Sequence, residues 1–96
     1  MMQQSLEFKL SNELTFDTVE SDYKRLLKAI QDNDTKNFCL DLQHVTECDS
    51  AGLALLIEAK RLCKQYDKSL LIHGMSKDIY ALAKFGGVEV MINDKQ

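Results

Sequence analysis

A chain of 96 residues, 45% hydrophobic and 28% charged, has the balance of an ordinary globular domain with one modest core. A formal net charge of −3 argues against a nucleic-acid binder held by phosphate contacts. No apolar run approaches the roughly 20 residues needed to span a bilayer, and the start of the chain carries no signal-peptide pattern, so a cytoplasmic location is expected.

Leu6, Phe8 and Leu10 alternate with Glu7 and Lys9, which predicts a strand with one buried face. Ser11-Asn12 is a turn signal, and Leu14 and Phe16 alternate across Thr15. A second strand returning antiparallel to the first is expected there. Asp17 reads as an N-cap, with Glu20 in capping-box position, for a helix from about Thr18 to Gln31. Val19, Tyr23, Leu26, Leu27 and Ile30 form its apolar stripe. The polar run from Asp32 to Thr35 ends it. Asn37 to Leu42 then reads as a central strand covered on both faces, because Cys39 also sits between apolar neighbours. A polar loop leads to a second helix, about Ser50 to Tyr66. Asp67-Lys68 turns the chain into a strand at Leu70-Leu71-Ile72, which Gly74 ends. Ser76 is placed to cap a third helix with Ile79, Leu82 and Ala83 on its apolar side, and Gly86-Gly87 to stop it. Val88, Val90 and Ile92 suggest a short last strand. The order β-β-α-β-α-β-α-β predicts a single α/β domain over residues 1–96, with a mixed sheet and helices mainly on one side.

The second helix does not hide all its apolar residues. At ~100° per residue, Leu55, Leu56, Ala59, Leu62, Cys63 and Tyr66 form the core side. Ser50, Ala54, Ile57 and Arg61 lie roughly opposite, flanked by Leu53, where a solvated face would carry Lys, Glu or Gln. One reading is that neighbouring loops cover Leu53 and Ile57, or that they are scattered surface apolars. The other is an interaction surface, outward in the free protein: a small apolar patch with a hydroxyl at one end and Arg61 at the other. Ser50 stands at the mouth of the helix, where unpaired backbone N–H groups attract anions, including a phosphate on that hydroxyl.

The remaining chemistry is thin. Asp41 follows the strand pattern and Asp49 reads as a loop or cap residue, which makes a catalytic carboxylate pair the weaker reading. Cys39, Cys48 and Cys63 are odd in number and irregularly spaced, which is no disulfide framework and fits a reducing compartment. His44 and Cys48 share one loop but have no partner pair elsewhere, and His73 is remote in sequence, so no metal is expected. There is no P-loop and no dinucleotide fingerprint. The lone Gly52 reads as a close-packing residue. The chain is expected to be neither an enzyme nor a cofactor carrier.

The segment Asp49-Ser50-Ala51-Gly52-Leu53-Ala54-Leu55-Leu56, between a strand and a helix, resembles the STAS domain family of sulfate transporters and anti-sigma factor antagonists. That segment with Ala59-Lys60, and Gly74 followed by Lys77 to Lys84, is most similar to the small STAS subunit (MlaB type) of Mla phospholipid-transport ABC systems. The resemblance implies the STAS fold and a non-enzymatic cytoplasmic subunit. It would bind the ATPase subunit of an ABC transporter that moves phospholipid between the inner and outer membranes, and so lie peripheral to the inner membrane. The family's functional hydroxyl falls on Ser50, where the Mla type commonly has Thr. The alternative implied by the same resemblance is an anti-sigma factor antagonist, in which a partner serine kinase phosphorylates Ser50 and breaks partner binding. A phosphate adds about −1.5 to −2 charges beside the apolar patch.

Overall fold

The computed structural model describes residues 5–32 and 34–85. Eight elements follow in order: β1 (Ser5–Lys9), β2 (Glu13–Leu14), α1 (Val19–Asp32), β3 (Asn37–Asp41), β4 (Glu47–Cys48), α2 (Ser50–Gln65), β5 (Ser69–His73) and α3 (Lys77–Phe85). β3 is the centre of a three-stranded parallel sheet, ordered β1-β3-β5. β2 and β4 form a separate parallel pair. The α/β class and the central place of β3 agree with the reading of the sequence.

The antiparallel hairpin does not form. β1 pairs with β3, and β2 pairs with β4, both in parallel. Two-residue alternation marks an extended segment but says nothing about its partner, and here the partner of Leu14 is Cys48, far along the chain. Phe16 lies beyond β2 and is 80% exposed. β4 was not anticipated, since Glu47 and Cys48 read as loop. The suggested strand at Val88–Ile92 and the Gly86-Gly87 stop lie outside the described residues.

The core follows from strand alternation. Phe38 and Leu40 of β3 are buried on the face that meets the helices, and Leu6, Phe8, Leu70 and Ile72 of the flanking strands pack against the same cluster. α1 contributes buried Leu26 and Ile30, with Val19, Tyr23 and Leu27 partly buried beside them. α2 supplies Leu55, Leu56, Ala59, Leu62 and Cys63, and packs against α1, α3 and β5. Tyr66, expected on the core side, is 37% exposed and caps the end of α2. Cys39, on the other sheet face, is only half-buried, so β3 is not equally covered on both sides.

Helix entry differs at α1. Asp17 is exposed and makes no capping contact. Thr18 organises the turn instead: its Oγ1 accepts the Thr15 N–H at 3.0 Å and donates to the Glu13 carbonyl at 2.6 Å. One turn on, Asp22 is fully buried, accepting from the Ser11 N–H and hydroxyl and from Arg25 Nη1. At α3 the expected cap is present, with the Ile79 N–H donating to Ser76 Oγ at 3.1 Å.

Candidate functional site

Asp49, rather than Ser50, caps α2. Its Oδ1 accepts the N–H groups of Ala51 at 2.9 Å and Gly52 at 3.1 Å, two of the donors a helix start leaves unpaired. Its Oδ2 accepts the Phe16 N–H at 3.1 Å. These bonds favour the ionised form and hold the carboxyl below its ordinary value, the Phe16 bond most and the Gly52 bond next. The Asp49 N–H in turn donates to the Leu14 carbonyl at 3.0 Å. The segment after β2 and the mouth of α2 are therefore one hydrogen-bonded unit.

Gly52 brings the two together. It is buried, and a Cβ there would lie 2.7 Å from Leu14 Cβ and closer still to the Leu14 carbonyl oxygen. Only a residue without a side chain lets the helix sit this close to β2, as the sequence suggested.

Ser50 is the first residue of α2. It is exposed, and its hydroxyl takes no part in the cap. Ala54 and Arg61 are also exposed, and Ile57 is half-buried with one side against the core. Arg61 is held by Glu58, with Nε to Oε1 at 3.1 Å and Nη2 to Oε2 at 2.7 Å. Leu53 corrects the sequence reading. It is 8% exposed and belongs to the core cluster, not to an outward face. The helical angle places it at the margin of the stripe. The β2 and β4 segments pack against α2 and close that margin. Of the expected stripe, Ser50, Ala54, Ile57 and Arg61 reach solvent.

Phe16, next to the mouth of α2, is not among the residues expected there from the sequence. Its backbone is tied to Asp49, and its ring is among the most exposed large apolar groups of the described residues. Reading Leu14-Thr15-Phe16 as a strand assigned the ring to a sheet face. The available signal was the run of turn-forming polar residues around it, Thr15, Asp17 and Thr18.

Burial, and then the charge of Asp49, push the Cys48 thiol up to about 11. His44 points its Nε2 at the Leu10 carbonyl, and its Nδ1 is buried without a hydrogen-bond partner. His44 and Cys48 belong to no group of three metal-ligating side chains among the described residues.

A family model described as "Mlab, STAS domain" matches residues 2–93. The intermembrane phospholipid transport system binding protein MlaB of Escherichia coli (strain K12) is 37% identical over 46 residues, covering 48% of this chain and 47% of that protein. The match thus spans about half the length of that relative. The anti-sigma-B factor antagonist of Staphylococcus aureus (strain NCTC 8325 / PS 47) is 29% identical over 87 residues, covering 91% of this chain and 80% of that protein. The solved structure of the anti-sigma factor antagonist SpoIIAA in its unphosphorylated form superposes with a TM-score of 0.73 at 17% identity, covering 92% of this chain and 76% of that one, a likeness of fold.

Proposed function

Because the chain belongs to the STAS domain family, we propose that it works as a non-enzymatic docking subunit whose partner seats on the mouth of α2. The partner would be the ATPase subunit of a phospholipid-moving ABC transporter, a reading supported by likeness to the MlaB relative, named as a binding protein of an intermembrane phospholipid transport system. The chain would act in the cytoplasm, peripheral to the inner membrane through that complex. Among the described residues no helix is long and apolar enough to cross a membrane. The reading rests on exposed Ser50 and Ala54 and half-buried Ile57 along α2, with exposed Phe16 hydrogen-bonded through its backbone to Asp49 beside them. Apolar anchors rimmed by polar groups suit a protein–protein contact.

A second reading has its own support. The anti-sigma-B relative aligns with most of this chain, and Ser50 is exposed at a helix start, where a phosphate is electrostatically welcome. In that role Ser50 would be phosphorylated by a serine kinase, and the added charge would repel the partner from the apolar surface.

The two readings separate by co-purification of the tagged full chain from its own cells. Recovery of an ABC ATPase in stoichiometric amount supports transport. Recovery of a serine kinase, with phosphate on Ser50 by mass spectrometry, rejects transport in favour of the switch.

A further inference from the structure

The sheet face turned away from the helices carries a second constellation. Parallel register places Glu7 of β1 opposite Cys39 of β3, and Asp41 of β3 opposite His73 of β5. Alternation puts all four on one face, since Phe38, Leu40 and Ile72 take the other. One donor atom each from Glu7, Cys39 and His73 lie within 4.8 Å of one another. His73 Nε2 is 3.9 Å from Glu7 Oε2 and 3.5 Å from Asp41 Oδ1.

We propose that Glu7, Cys39 and His73, with Asp41 beside His73, form a binding site for a zinc-type divalent cation. Tetrahedral zinc with bonds of about 2.0–2.3 Å sets its donors roughly 3.3–3.8 Å apart. The His73–Asp41 spacing falls in that range, and the His73–Glu7 spacing lies just outside it. Thiolate, imidazole and carboxylate together suit a borderline metal better than calcium or magnesium, which want oxygen alone. Asp41 is buried, and its Oδ1 accepts the Gln43 N–H at 3.0 Å, which orients the carboxylate. Three hydrogen-bonded strands hold the donors, so little backbone ordering is left to the metal. The contacts of His73 with Glu7 and Asp41 alone give Cys39 no role. The bound ion would link β1, β3 and β5 across the sheet. The site is separate from the mouth of α2 and independent of the docking reading.

The test is a titration of metal-stripped full chain with Co(II), followed by displacement with Zn(II). Expected is one equivalent bound, with the visible spectrum of tetrahedral cobalt and a thiolate-to-cobalt charge-transfer band. Cys39→Ser should abolish that band. His73→Asn and Glu7→Gln should each weaken binding about tenfold or more. His44→Asn and Cys48→Ser should change nothing. Zinc should raise the Tm of the wild type by more than that of His73→Asn at the same zinc concentration. Glu7→Gln changes an exposed side chain and serves if Cys39→Ser fails to fold. Absence of stoichiometric binding, binding indifferent to Cys39→Ser, Glu7→Gln or His73→Asn, or a band lost with Cys48→Ser would overturn the proposal.

Discussion

The Asp49 carboxylate ties the start of α2 to Phe16: one oxygen caps the helix while the other accepts the Phe16 N–H at 3.1 Å. One ionised side chain thus sets the height at which the Phe16 backbone meets the helix mouth. The capping and the positioning of the surface share a protonation state. Asp49→Asn keeps the size of the side chain and loses its charge and one acceptor. The folded carboxyl titrates below its unfolded value of about 3.9. Its contribution to stability is therefore complete above that value and is lost as pH falls through the lower folded value. The variant should be less stable than wild type at pH 7, and the gap should close in strong acid. Urea unfolding at both pH values measures it. An equal gap at both would show that the charge is irrelevant to the fold.

Gly52→Ala should be among the most damaging small substitutions. The added Cβ meets backbone and Cβ of Leu14, neither of which can rotate away. Overpacking of this kind costs about 1–3 kcal/mol. A thermal melt is the measurement, and an unchanged Tm would mean that β2 can move off α2 freely.

Leu53 and Ile57 should separate in stability. Leu53→Asp forces a carboxylate into the core and should unfold the chain or nearly so. Ile57→Asp acts at a half-buried position and should cost part of the ~1.5–3 kcal/mol that full burial of such a side chain is worth. Circular dichroism melts of the two variants decide this. Equal stabilities would place Leu53 on the surface after all.

Ser50→Ala should be nearly silent in the isolated protein. Since the cap is Asp49, the cost should stay within about 0.5 kcal/mol, less than loss of a capping hydroxyl would give. Ser50→Glu should also fold, because negative charge suits a helix start. A cooperative melt at wild-type temperature checks both.

The parts legible in the sequence are those with local causes. The stripe of α1 through Leu26 and Ile30, the core side of α2 through Leu55, Ala59 and Leu62, the Ser76 cap and the close approach at Gly52 all follow from spacing or from one residue's stereochemistry. What was misread depends on distant partners. Leu14 pairs with Cys48, which no turn signal at Ser11-Asn12 could reveal. Asp22 sits in a helix as an acid ordinarily would, and only the folded chain buries it against Ser11 and Arg25. A helical angle placed Leu53 at the edge of the stripe but could not show the segments that cover it. Glu7, Cys39 and His73 meet only through parallel register.

The proposed docking surface is tested most directly by the affinity of the full chain for the proposed ABC ATPase partner. Ala54→Arg puts a long charged side chain at an exposed site and should leave the Tm unchanged. Phe16→Asp removes an exposed ring whose backbone is tied to Asp49 at the helix mouth. Titration calorimetry should show each variant binding at least about tenfold more weakly than wild type, the loss of ~1.4 kcal/mol that one buried anchor readily accounts for. Folded Ala54→Arg and Phe16→Asp proteins that bind with wild-type affinity would contradict the placement of the partner at the mouth of α2.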